Sequence, residues 1–87
     1  MHLKYPYEIM EVEGQSFAVP MEEDANGFNG VIKLSKTAKV IFELLQEDTS
    51  EEAIVEAMSQ RFDAERNVLA ADVHRMISQL QQKGILL

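Results

Sequence analysis

The sequence predicts an α+β domain in which a three-stranded antiparallel sheet precedes three helices, in a winged helix-turn-helix-like arrangement. Residues 7 to 34 contain short runs rich in β-branched and aromatic residues, separated by glycine-containing turns. Residues 35 to 83 repeat apolar residues at the three- and four-residue spacing of amphipathic helices. The short link QEDTSE joins two of these helices as in a helix-turn-helix. At 87 residues the chain is expected to form a single domain over residues 1-87.

The first two strands are predicted to form a hairpin. YEIMEV, residues 7 to 12, is the first strand, and SFAVP, residues 16 to 20, returns with Phe17 and Val19 on one face. The turn Glu13-Gly14-Gln15 lies between them, because Gly14 can adopt a positive φ. Pro20 cannot donate to a ladder and therefore marks the end of the second strand.

The third strand is predicted as VIKL, residues 31 to 34, after a loop with two Asn-Gly pairs over residues 21 to 30. Ile32 and Leu34 share one face, and Val31 and Lys33 share the other. In a simple meander this strand lies at one side of the sheet, where an exposed edge accepts another strand. The alternative is a purely structural strand whose edge is shielded by Lys33 or by the loop.

Three helices complete the predicted fold. Ser35 is the expected N-cap of the first, which runs to about Gln46, and Thr49 and Glu52 form a capping-box pattern for the second. The third begins within residues 66 to 69 and ends at Lys83. Gly84 is its expected C-terminal cap, and residues 85 to 87 turn back to the core. The predicted buried stripes are Ala38, Ile41, Phe42 and Leu45, then Ile54, Val55, Met58 and Phe62, then Leu69, Val73, Met76, Ile77 and Leu80.

The composition restricts the function. Fifteen acidic and eight basic residues give a net charge of −7, which disfavours nucleic-acid binding and is compatible with a protein or peptide partner. Cysteine is absent, so disulfides and thiolate metal sites are excluded. No apolar run reaches the length of a membrane span, and the N-terminus lacks the features of a signal peptide. A cytoplasmic protein is expected.

GVIKLSKT, residues 30 to 37, differs by one residue from the phosphate-binding pattern G-x-x-x-x-G-K-[ST], because Ser35 replaces the second glycine. A phosphate cradle requires backbone that curls around the anion, whereas Val31 to Leu34 are bulky and favour extended structure. The sequence therefore predicts no nucleotide site here.

The acidic loop resembles part of a calcium-binding loop. Glu22, Asp24, Asn26 and Gly27 match positions 1, 3, 5 and 6 of an EF-hand, but position 12 is Lys33 where a bidentate glutamate is required. A solvated loop without a bound metal is predicted.

Few residues could support catalysis. His2 lies near the terminus, and His74 is expected alone at the surface of its helix. Glu51 and Glu52 are adjacent, so they point to different sides and cannot act as a carboxylate pair. An enzyme acting alone is not expected, and no catalytic residue, metal or cofactor is assigned.

Three motifs occur in a fixed order along most of the chain. Leu34 is followed by a polar residue and by the helix start Thr37-Ala38, with an aromatic residue and Leu-Leu further on. The second motif is a helix that starts with the residues Thr49 to Val55 and ends in Arg61-Phe62-Asp63. The third motif is a helix that contains Asp72-Val73 and is followed by Gly84-Ile85-Leu86. With the preceding FNGVIKL, this pattern resembles the PqqD-like family over about residues 7 to 87.

The resemblance implies a RiPP recognition element, a winged-helix-like domain that binds the leader segment of a ribosomally made precursor peptide. Such domains present the leader to a modifying enzyme, often a radical SAM protein, and in the namesake system the product is pyrroloquinoline quinone. The leader adds antiparallel to the third strand and lies in a groove against the third helix. The implied docking strand is Val31, Ile32, Lys33 and Leu34, and the implied groove uses some of Asp72, Met76, Ile77 and Gln79.

Two other functions fit a winged helix with a free edge. A transcription regulator would need a basic recognition helix, but residues 35 to 62 contain Lys36, Lys39 and Arg61 against six acidic residues. A structural homodimer could form through the same strand edge.

Overall fold

The structure, a computed structural model, describes residues 1–21 and 30–86. Within these residues three strands precede three helices, which confirms the predicted α+β architecture. Residues 22 to 29, including the calcium-loop-like residues, lie outside the described residues. The elements are β1 Tyr7–Val12, β2 Gln15–Pro20, β3 Ile32–Leu34, α1 Lys36–Leu44, α2 Glu51–Arg61 and α3 Arg66–Gln82.

The sheet is an antiparallel meander in the order β1-β2-β3, so β3 lies at an edge as predicted. The register aligns Ser16 with Leu34 and Ala18 with Ile32. The β1–β2 turn consists of Glu13 and Gly14, with φ of 53° and 79°. Positive φ at both positions is typical of two-residue hairpins, and it is a conformation that glutamate rarely adopts.

The two faces of the sheet have different surroundings. Tyr7, Ala18 and Leu34 face the helices and are at most 5% exposed. Phe17 and Val19 share the opposite face, as predicted, together with the more exposed Met10 and Val12. The helices therefore pack on the face that carries the small Ala18.

Serine side chains cap the first two helices. Ser35 Oγ accepts from the Ala38 amide at 3.1 Å, which confirms the predicted N-cap of α1. α1 ends at Leu44, two residues before the predicted end. The capping box predicted from Thr49 is wrong, because Ser50 Oγ accepts from the Ala53 amide at 3.1 Å and α2 begins one residue later. The Thr49 N–H instead donates to the Met1 carbonyl at 2.8 Å, which holds this residue in extended chain.

The C-terminus returns to the core after α3. Gly84 adopts a φ of 75°, as expected of a helix C-terminal glycine. Ile85 and Leu86 are buried, and Leu86 pairs with Leu3 in an isolated antiparallel bridge. The Leu3 N–H donates to the Leu45 carbonyl at 2.8 Å, so the N-terminal segment joins both the C-terminus and the end of α1.

Phe42 lies at the centre of the core and is fully buried. Its ring meets Tyr7 edge to face, with centroids 5.2 Å apart and an interplanar angle of 85°. This geometry is favourable for aromatic pairs and attaches α1 to β1. The other fully buried large side chains are Ile41, Leu45, Ile54, Met58, Leu69, Ile85 and Val73.

Ion pairs between lysine or arginine and glutamate connect elements at the surface. The Lys39 ammonium hydrogen-bonds the Glu11 carboxylate between α1 and β1, which lowers the pKa of Glu11 and raises the pKa of Lys39. Arg66 contacts Glu56 at 2.7 Å between α3 and α2, and this hydrogen bond lowers the pKa of Glu56. None of the helices in the described part of the chain has the length and apolar character needed to cross a bilayer.

Candidate functional site

An open groove lies between the edge strand β3 and the helix α3, with the first turns of α1 as its floor. It encloses about 340 Å³, which is within the usual size of ligand sites. Its lining is mixed, with apolar side chains between charged ones. The lining residues are Ile32, Lys33, Leu34, Ser35, Thr37, Ala38, Ile41, Asp72, Arg75, Met76, Gln79, Leu80 and Lys83.

One face of α3 forms the helical wall. Asp72, Met76, Gln79 and Lys83 recur at three- and four-residue intervals, so their side chains project from the same side of the helix. The adjacent face carries Leu69, Val73, Ile77 and Leu80 into the core. Met76 lies between the two faces and is partly buried, so its flexible thioether is both a core contact and a groove wall.

The opposite wall is β3. Ile32 is partly buried and Leu34 is 5% exposed, whereas Lys33 is exposed on the other face of the sheet. Among residues 1–21 and 30–86, β3 pairs on one side only, with β2. The outer side of the strand therefore presents main-chain groups toward the groove, as edge strands do. The strand ends at Leu34, and the next residue, Ser35, is the N-cap of α1.

The groove contains one ion pair and two further cations. Arg75 contacts Asp72 at 3.2 Å, one helical turn apart on α3. Lys33 and Lys83 form no ion pair within residues 1–21 and 30–86. The groove is therefore electropositive at its borders, on both sides of its apolar centre.

Six of the eight sequence-predicted site residues line this groove. Val31 lies just before β3 and is 57% exposed, so it continues the edge without lining the groove. Ile77 is 4% exposed, packs in the core and does not line the groove. One residue along a helix is a rotation of about 100°, which turns Ile77 from the wall occupied by Met76 toward the core.

Seven groove residues were not among the predicted site residues: Ser35, Thr37, Ala38, Ile41, Arg75, Leu80 and Lys83. A signal for two of them was present, because Arg75 and Lys83 lie four residues before and after the predicted Gln79. The same helix face therefore includes both. Ala38 was assigned to the core stripe of α1, and it is only partly buried because it also forms the groove floor.

The Walker-like residues have no phosphate-cradle geometry. Ile32–Leu34 are extended and paired with β2, so their backbone does not curl around a central point. Ser35, at the position of the missing glycine, directs its hydroxyl to the Ala38 amide. This confirms the interpretation that GVIKLSKT is a strand followed by a helix cap.

His74 is exposed on α3, as predicted, and its Nδ1 lies 3.3 Å from both carboxylate oxygens of Glu51 on α2. This contact is on a different side of α3 from the groove residues. No group of three or more potential metal ligands occurs in the part of the chain that the structure describes. His74 is thus a surface contact between two packed helices.

Comparisons with known proteins agree with this architecture. The model of the family described as coenzyme PQQ synthesis protein D (PqqD) matches residues 9–86, nearly the whole predicted range of the resemblance. No curated protein matches the chain. A solved structure described as "TbiB1 in Complex with the TbiA(beta) Leader Peptide" shares the fold with a TM-score of 0.73 and 19% identity, over 99% of this chain and 94% of that chain.

Proposed function

This chain belongs to the PqqD family, and from that premise we propose that it binds the leader segment of a ribosomally made precursor peptide. The observation that carries the proposal is the position of β3, which is an edge strand and also one wall of a groove closed by α3. The solved structure of the same fold, which was determined as a complex with a leader peptide, supports the same use of the fold.

The leader would add as an antiparallel fourth strand beside β3. Its main chain would pair with the free side of β3, which supplies affinity without regard to sequence. Alternate side chains of the leader would point into the groove, where Ile32 of β3, Ala38 of α1 and Met76 of α3 offer apolar contact. Val31 would extend the docking strand by one residue, and Asp72 and Gln79 would contact the leader from α3.

A peptide-modifying enzyme would be the second partner. The groove side chains suit binding more than bond making, because the Asp72 carboxylate is already engaged by Arg75. We therefore assign the chemistry to a separate enzyme, such as a radical SAM protein, and expect no catalytic activity from this chain. The encounter would take place in the cytoplasm, where newly made precursor peptides are available. The family description supports quinone-cofactor synthesis as one setting.

The test is an amide NMR titration with synthetic peptides from short reading frames that flank the gene. Saturable shifts confined to residues 31 to 34 and 72 to 83 would be expected for strand addition in the groove. Light scattering on the free protein serves as a companion measurement, because a dimer joined through β3 would occupy the same edge. A stable dimer without peptide-induced shifts would replace peptide binding with self-association as the function of this edge.

A further inference from the structure

The groove differs in charge from the rest of the molecule. Lys33, Arg75 and Lys83 line it, but Asp72 is the only acidic residue that does so within residues 1–21 and 30–86. This described lining carries a charge of +2 on a chain whose net charge is −7. A local positive site on an acidic protein attracts anions to that site and repels them elsewhere.

The two cations that remain after the Asp72–Arg75 pair lie on different sides of the apolar centre. Lys33 is paired across the sheet with Phe17, so its side chain is on the outer face of β3. Lys83 is the C-cap residue of α3, on the opposite wall. A peptide strand paired with β3 would thus have Lys33 beside the side chains that point away from the helices. It would have Lys83 near the side chains that point into the groove.

Resting on the proposed function, we propose that the peptide recognised here is acidic. It carries an aliphatic side chain that enters between β3 and α3, and carboxylates on both faces of its strand. One carboxylate lies across the strand pair from Lys33, where opposite charges stabilise a sheet. Another reaches Lys83 from the inward face. Charge then selects the peptide and its register, while the main-chain bonds to β3 supply affinity that is independent of sequence.

The experiment selects binders from a surface-displayed library of random 15-residue peptides, with the purified full chain as the target. Selected peptides are then titrated against the wild type, against K33Q/K83Q, and against K4Q/R61Q. The control pair removes the same two charges from exposed positions that do not line the groove. Circular dichroism checks that each variant is folded.

We expect Asp and Glu to be enriched in the selected pool above their frequency in the starting library. We expect binding to K33Q/K83Q to be about 2- to 25-fold weaker, from two partly exposed ion pairs, and binding to K4Q/R61Q to be unchanged. The difference should shrink as salt is raised, because screening shortens the range of both attractions.

Two other outcomes separate this inference from the function on which it rests. Peptides that shift the amides of β3 and α3, but lack acidic enrichment and bind K33Q/K83Q as tightly as the wild type, would overturn the acidic preference and leave peptide binding intact. A selection that yields no peptide able to shift those amides would remove the proposed function, and the acidic preference with it.

Discussion

Filling the floor of the groove is the most direct test of how it binds a peptide. Ala38 lines the groove from the first turn of α1, between the β3 wall and Met76 on α3. Leucine at this position keeps good helix propensity and extends into open space. The substitution Ala38→Leu should therefore block the place of an incoming aliphatic side chain on the groove side of this residue.

The expected loss follows from the apolar surface that the peptide could no longer bury. An aliphatic side chain gains about 1.5–3 kcal/mol when it is fully buried. Excluding one such side chain should weaken binding about 10- to 150-fold, because each 1.4 kcal/mol is a factor of ten. The free energy of unfolding should fall by no more than about 1–3 kcal/mol, as for other enlargements of packed side chains, because Ala38 is partly buried against the core.

Isothermal titration calorimetry with a peptide that shifts the β3 amides measures this loss. Ala71→Leu is the matched control, because Ala71 is exposed on α3 and does not line the groove. It makes the same change in a helix and should leave the Kd unaltered. If Ala38→Leu were folded and bound the peptide with the Kd of the wild type, the peptide would not enter the groove as we describe.

Four further substitutions test the fold. Glu13→Asn should raise the unfolding free energy by about 0.5–1 kcal/mol and Tm by about 2–8 °C, because asparagine tolerates the left-handed conformation better than glutamate. Gly14→Ala should lower Tm, and thermal circular dichroism measures both changes. Phe42→Ala should cost about 3–5 kcal/mol, which is a large part of the roughly 4–13 kcal/mol expected for a chain of this length, and urea unfolding would show it. In Glu11→Gln, the unfolding free energy should fall less steeply as pH drops below the ordinary glutamate value of 4.5, because the lowered pKa of Glu11 stabilises the fold above that pH and the contribution is lost on protonation. An unchanged slope in an acid titration series would show that the Glu11–Lys39 contact adds nothing to stability.

The strands and helices could be predicted because their signals are local. The alternation in β1 and β2, the turn glycine Gly14 and the terminal Gly84 each depend on a few neighbouring residues. The start of α2 was misplaced because Thr49 and Ser50 are both acceptable caps. A hydrogen bond to Met1, distant in sequence, decides between them.

The groove was predicted less completely because its lining depends on the orientation of α3 about its own axis relative to the sheet. Periodicity identifies the stripe of α3 that is buried, but it does not specify which border of the stripe faces β3. In the structure the border with Arg75 and Lys83 forms the groove, and Ile77 packs in the core. The edge position of β3 followed from the order of the strands, since the last strand of a meander is at an edge.

The sheet has two edges, and an acidic peptide distinguishes them. β1 is the longer edge strand, so it would offer more main-chain bonds to an added strand than β3 does. β1 carries Glu8 and Glu11 and no basic residue, and although Lys39 neutralises Glu11, the exposed Glu8 would repel a carboxylate placed opposite it. β3 carries Lys33 and no acidic residue, and it alone has α3 alongside to receive side chains. The charges that would attract an acidic leader to the short edge would therefore also keep it from the long one.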